Sequence, residues 1–191
     1  MKKIKVLNRI SIDGYFASPN EASFGMDWFI HDPEVDKAVH SIGGKMNTLI
    51  LGGTTYRGFE QYWVPVLNDP HAPRQLKEIA EELNDMTKIV FSRSMTASKW
   101  DHTRIFPDRL LETVRQLKRE ADSDILLLGS GSILQQLARE DLIDEYIFIV
   151  TPVISGGGKP LFQDVKQTGL TLEKAITFAS GNVVLHYTVQ R

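Results

Sequence analysis

The sequence predicts an α/β protein with a mostly parallel central sheet, an antiparallel C-terminal edge and helices on both faces. Three observations carry this. Short apolar runs alternate with segments of helical periodicity from residue 3 to residue 150, as in strand–helix–strand units whose strands are buried on both faces. Two of those runs, at 47–51 and 125–128, end in glycine and hydroxyl residues just before a helical pattern begins. After residue 170 the period drops to two, with a hairpin-like break at Ala179-Ser180-Gly181.

The 191 residues read as a single domain, 1–191, able to bury roughly 70% of its unfolded surface. No internal repeat or linker divides it. With 42% hydrophobic and 24% charged residues the chain has a globular composition, and its net charge of -2 gives no reason to expect nucleic acid as a partner. No run reaches the roughly eighteen apolar residues of a membrane helix, and Asn8, Arg9 and Asp13 interrupt any leader-like start. A cytoplasmic protein with no membrane partner is expected. The absence of cysteine removes disulfides, thiolate metal sites and cysteine nucleophiles; the five histidines are scattered, so no metal is expected.

In chain order, Ile4, Val6, Ile10 and Ile12 share one parity and predict a strand over 3–12, with Asn8 the polar intrusion. It ends at Asp13-Gly14, where the aspartate either shapes a turn or offers a carboxylate to a ligand. Residues 18–32 read as a loop carrying Trp28, Phe29 and His31; Trp28 either packs beneath the loop or contacts a planar substrate. Asp32-Pro33 opens a helix with Val35, Ala38, Val39, Ile42 and Met46 inward and Asp36 and His40 paired on its flank.

The strand at 47–51 delivers Gly52-Gly53-Thr54-Thr55, followed by a short helical pattern, a loop over 62–75 and a helix with Leu76, Ile79, Ala80 and Leu83 inward. A strand at 88–91 closes with Ser92-Arg93-Ser94, and Asp108 caps a helix facing inward through Leu110, Leu111, Val114, Leu117 and Ala121. The strand at 125–128 then meets Gly129-Ser130-Gly131-Ser132-Ile133, where Ser130 or Ser132 can cap the following helix. Such a turn suits a phosphate, because first-turn N–H groups lack intrahelical partners and the helix dipole is positive there; it also serves as an ordinary connection. The dinucleotide pattern G-x-G-x-x-G fails at Leu134, and a P-loop over Gly156-Gly157-Gly158 fails at Val153 and Pro160. Strands at 143–150, 170–178 and 182–190 complete the chain.

Ser11-Ile-Asp-Gly14, Leu51-Gly-Gly-Thr-Thr-Tyr56, Val90-Phe-Ser-Arg93, Leu128-Gly-Ser-Gly-Ser-Ile133 and Thr151-Pro through Gly-Lys-Pro-Leu-Phe162 follow one another over nearly the whole chain. In this order they resemble the dihydrofolate reductase-like superfamily, and most the reductase domain of bacterial riboflavin-biosynthesis deaminase-reductases and its stand-alone relatives. The resemblance implies a three-layer fold and NADPH stretched across the strand ends. Gly129, Ser130, Gly131, Ser132 and Ile133 would hold the pyrophosphate and nicotinamide side, and Gly52, Gly53, Thr54 and Thr55 the other flank. Ser92 and Arg93 would meet the adenosine 2′-phosphate. Many relatives carry a basic residue where this chain has Gly53, which leaves that discrimination to Arg93, with Arg57 as helper.

The implied chemistry is hydride transfer from NADPH to a C=N or C=O bond of a small heterocyclic substrate, a ribosylaminopyrimidine or a pterin-like compound. Dihydrofolate reductases keep an acid on the first long helix; here the choices are Asp36, or Asp27 and Asp32 ahead of it, while Asp13 matches the riboflavin-type motif. Asp13 and Asp36 are thus the catalytic candidates and Asp13 and Trp28 the substrate contacts. The resemblance also implies a homodimer. The alternative is a non-catalytic nucleotide- or pterin-binding protein on the same fold.

Overall fold

The computed structural model describes residues 1–44 and 46–191. Among the described residues ten strands form in chain order: β1 (Ile4–Ile10), β2 (Tyr15–Ala17), β3 (Thr48–Gly52), β4 (Thr87–Phe91), β5 (Thr103–Phe106), β6 (Ile125–Leu128), β7 (Glu145–Val150), β8 (Lys159–Pro160), β9 (Leu170–Thr177) and β10 (Val183–Val189). The helices are α1 (Pro33–Gly43), α2 (Gly53–Asn68), α3 (Arg74–Asp85), α4 (Leu110–Glu120) and α5 (Gly131–Arg139). Eight strands make the main sheet in the order β5-β4-β3-β6-β1-β7-β10-β9; β2 and β8 pair separately. From β5 to β7 every pairing is parallel, and β10 and β9 add the expected antiparallel edge.

The two faces of the sheet bury different helices. Ile4, Val6, Ile50, Ile125 and Leu127 face Val114 of α4 and Ile133, Leu134 and Leu137 of α5. On the opposite face Leu49, Leu51, Val90 and Leu126 pack under Tyr56 of α2 and Leu83 of α3, while Ile147, Ile149 and Val184 pack under Val35 and Val39 of α1. Leu7 touches both of these last two clusters, so α1 and α2 stand over neighbouring parts of one face with β1 between them. Asn8 is buried on the other face, and neither its amide nitrogen nor its oxygen has a protein partner.

Several local readings differ from the structure. Residues 62–68 are helical: α2 runs through Pro65 to Asn68. Proline removes one N–H and disfavours the α conformation before it, but Trp63 and Val64 pack into the core beneath α2 and hold the turn. Asp108 does not cap α4, whose N-cap is Arg109 in the left-handed region, without a side-chain hydrogen bond. Asp36 and His40 do not pair; Asp36 faces His31 at 3.6 Å and His40 faces Glu82 of α3 at 3.3 Å. Thr103–Phe106, which has no clear strand signature, is β5, defined by its parallel pairing with β4. The cap of α1 is as expected, with Asp32 Oδ1 accepting from Glu34 N at 2.9 Å.

Candidate active site

The parallel strands deliver their carboxyl ends in a row: Ser92 after β4, Gly52 at the end of β3, Gly129 after β6, Ser11 after β1 and Thr151 after β7. Crevices outside such strand ends are where open α/β sheets bind ligands. A cavity of about 470 Å³, lined by Asn47, Thr48, Asp85, Arg104, Glu120 and Asp122 among others, opens toward the opposite end of β3 and β4. It is acidic and lies away from both glycine turns, so the strand-end row is the better candidate.

β3 and β6 are neighbours, which places the two glycine turns side by side. Ser130 joins them. Its Oγ accepts from Gly52 N at 2.6 Å and donates to Thr55 Oγ1 at 3.0 Å. Ser130 therefore does not cap its own helix, contrary to expectation, and neither does Ser132: α5 and α2 both begin without a side-chain cap. A left-handed backbone (φ 60°, ψ 59°) aims the Ser130 hydroxyl at β3, an arrangement sustained only because both partners are in place.

Two of the glycines are explained by close approach. A Cβ on Gly53 would stand 2.5 Å from Ser92 Oγ and 2.8 Å from Ser92 Cβ, and a Cβ on Gly131 would stand 2.4 Å from Cε1 of the Phe16 ring from β2. The start of α2 is wedged against Ser92 in the loop after β4, which gives a physical reason why this chain has no side chain at position 53. Thr54, Ser132 and Arg93 are exposed, as is Arg57 on α2, whereas Ser92 Oγ accepts from Met95 N at 3.2 Å and is engaged in its own loop. Thr55 accepts the Ser130 proton and keeps its own hydroxyl hydrogen to donate.

These residues fit a dinucleotide pyrophosphate. Two uncapped helix N-termini converge on one spot, their dipoles favour an anion, and the Thr54 and Ser132 hydroxyls border it.

On the substrate side the carboxylates divide. Asp13 is exposed, yet Oδ1 accepts from Ser11 Oγ at 2.6 Å and Ser155 N at 2.9 Å, and Oδ2 from Gly156 N at 2.8 Å. The Ser11 hydroxyl and then the two loop amides pull it down to about 2. It is ionised near neutrality and ties the glycine-rich segment to the end of β1; its lone pairs and its acidity do not suit a proton donor. Asp27 is lowered by the Ser18 hydroxyl, with Ser23 Oγ also donating at 2.9 Å. Asp32 is lowered by Ser180, whose hydroxyl donates at 2.5 Å, as well as by its capping role.

Asp36 stands apart from these three. It is half-buried, and burial raises it, opposed by His31 and Arg9. A carboxyl raised by desolvation is the kind of group that can carry a proton. Trp28 is half-buried and meets Phe29 edge-on, centroids 4.8 Å apart, with its indole N–H sealed from solvent and unpaired. Sequence reasoning overlooked Phe16 and Arg9. Arg9 carried a signal, a charge inside an apolar strand; Phe16 carried none, because its contact with Gly131 comes from chain folding alone.

The mostly parallel sheet with its antiparallel edge and helices on both faces is that of a dihydrofolate reductase-like reductase domain. A family model described as the RibD C-terminal domain matches residues 2–185, and the chain belongs to that family. Protein YyaP of Bacillus subtilis (strain 168) is 33% identical over 180 residues, 93% of this chain and 90% of that one. A candidate riboflavin biosynthesis protein of Shewanella sp. PV-4 superposes with a TM-score of 0.71 at 20% identity, covering 99% of both chains. The Thermotoga maritima diaminohydroxyphosphoribosylaminopyrimidine deaminase/5-amino-6-(5-phosphoribosylamino)uracil reductase superposes at 0.67 and 16% identity over 99% of this chain and 57% of its own.

Proposed function

We propose that this protein is an NADPH-dependent oxidoreductase that reduces a C=N or C=O bond in a ribosylaminopyrimidine or pterin-like substrate. The observation that carries the reading is the junction of two uncapped helix N-termini by Ser130 at the carboxyl edge of the sheet. Membership of the RibD C-terminal domain family supports it. Bound there, NADPH would supply a hydride.

The protein's own residues bind, orient and handle a proton. The first turns of α2 and α5 hold the pyrophosphate, Thr55 donates a hydroxyl, and Arg93 takes the 2′-phosphate. Asp36 on α1, raised by burial, orients the heterocycle. Asp13 keeps the 153–158 segment closed over the end of β1, which limits water at the reacting atoms.

The acting unit is a homodimer in the cytoplasm. Tyr146, Phe148, Phe162 and Tyr187 form an aromatic cluster where β7 meets the antiparallel edge, and Phe162 and the neighbouring Leu172 stay 42% and 53% exposed. A second copy would cover that patch. Among the described residues no helix is long and apolar enough to cross a membrane.

Titration with NADPH and with NADH, followed by nicotinamide fluorescence, tests the reading. Tight binding selective for NADPH is expected; binding of neither overturns it.

A further inference from the structure

The two flanks of the strand-end row differ in charge. On the nucleotide flank, at the ends of β3 and β6, α2 and α5 begin uncapped, and Arg57 and Arg93 are exposed. The next strand end in the row is that of β1. Between Arg9 and Lys37, the stretch that leaves this end, the chain carries six carboxylates, Asp13, Glu21, Asp27, Asp32, Glu34 and Asp36, and no further arginine or lysine. The whole chain has a net charge of only -2, so its charge is unevenly placed.

The fold keeps these groups at one end of the sheet. α1 starts there, since Asp32 accepts from the Ser180 hydroxyl at 2.5 Å and Arg9 donates to Asn182 Oδ1 at 3.1 Å, both between β9 and β10. It ends beside the start of β1, where Lys5 Nζ donates to the Gly43 carbonyl at 3.1 Å. Asp13, Glu21, Asp27 and Glu34 are exposed. Hydroxyl donors hold Asp13, Asp27 and Asp32 below their ordinary value, so all three are charged near neutrality.

Three features of this flank could hold an anion, and each already meets acid from the chain itself. The N-terminus of α1 is filled by Asp32, whose Oδ1 accepts from Glu34 N at 2.9 Å. Arg9 is tied to the Ile30 carbonyl and Asn182, and Asp36 and Asp32 act on its charge. Lys159, placed opposite Ala17 by the β2–β8 pairing, is one cation against the remaining carboxylates.

We propose that the substrate of this chain carries no phosphate: the β1 flank accepts a neutral or cationic heterocycle and turns away a phosphorylated one. The inference rests on the reductase reading and deepens it by fixing the charge class of the substrate. A phosphate ester brings roughly two negative charges, and like charges brought together in a partly desolvated site repel more strongly than in open water. The field of the flank reaches about a Debye length, so no single carboxylate has to touch the ligand.

The test is calorimetric titration of the full chain with two pairs of probes, 5-amino-6-ribitylaminouracil and its 5′-phosphate, and neopterin and its 3′-phosphate, at about 20 mM and about 300 mM salt. At low salt the unphosphorylated member of at least one pair is expected to bind about 10-fold or more tighter than its phosphate. The gap should shrink at high salt, because screening weakens repulsion; a phosphate gripped by a cation would do the opposite and bind best at low salt. Removing two exposed charges in the double variant Glu21→Gln, Glu34→Gln should narrow the low-salt gap by roughly 2-fold or more. Equal or tighter binding of the phosphates, a gap that salt leaves unchanged, an unchanged gap in the folded double variant, or no binding of any probe would overturn the proposal. The salt comparison needs no substitution, so it decides the matter even where the double variant fails to fold. A parallel NADPH titration of wild type keeps the questions separate: loss of NADPH binding removes the reductase reading, while the probe pairs still judge the charge of the β1 flank.

Discussion

Replacing Ser130 with alanine removes one hydroxyl and two hydrogen bonds, those with Gly52 N and Thr55 Oγ1. Ser130 is 7% exposed, so the Gly52 N–H loses its partner in a place water reaches poorly. An unsatisfied buried donor costs about 1–3 kcal/mol and the bond to Thr55 roughly 1 kcal/mol more, giving a loss of about 2–4 kcal/mol. In a chain of this size each kcal/mol lowers Tm by about 2–4 °C, so a drop of roughly 4–16 °C is expected. Denaturant and thermal unfolding measure the loss, and Thr55→Val with the double variant isolates the pair. Single losses that overlap by about 1 kcal/mol, with NADPH binding weakened roughly 10-fold in Ser130→Ala, would support the junction. A loss under about 0.5 kcal/mol, or strictly additive effects of the two substitutions, would refute the reasoning.

Other outcomes follow from neighbouring features. Asp13 is held at about 2 in the folded chain against 3.8 unperturbed, so its tether is fully present above 3.8 and is lost as pH falls through about 2. The amide resonances of Ser155 and Gly156 should titrate near that lower value, and a midpoint at 3.8 would show that the tether does not form. Gly53→Ala should cost about 1–3 kcal/mol through its clash with Ser92, and Ser92→Gly should restore most of it; a Gly53→Ala protein as stable as wild type would count against the wedge. Arg93→Ala should weaken NADPH by about 10- to 100-fold and leave NADH nearly unchanged, whereas equal losses would remove the 2′-phosphate assignment. Leu172→Asp should convert a dimer to monomers in light scattering, and a monomeric wild type would dispose of the dimer face.

Much of the fold was legible in the sequence because its strands are short, apolar on both faces and punctuated by glycine. Ile125–Leu128 and Thr48–Leu51 could hardly be anything else, and Asp32-Pro33 gave a helix start that the structure keeps. Two of the misreadings share one cause, packing or pairing that no local pattern shows. β5 is a strand because β4 pairs with it, and Pro65 stays helical because Trp63 and Val64 are packed.

The candidate site divides along the same line. Local chemistry determined where backbone N–H groups would be exposed at helix starts, since glycine and small hydroxyl residues after a buried strand have few other uses. Which groups remain available to a ligand was decided only by tertiary structure. Ser130 looks like a cap in sequence and becomes a bridge in space, because β3 and β6 are neighbours across 75 to 78 residues of chain. Asp13, Asp27, Asp32 and Asp36 are alike as letters, yet serine hydroxyls hold the first three in their ionised form while burial pushes the fourth the other way. A carboxylate's acidity is set by what surrounds it, and those surroundings come from distant parts of the chain.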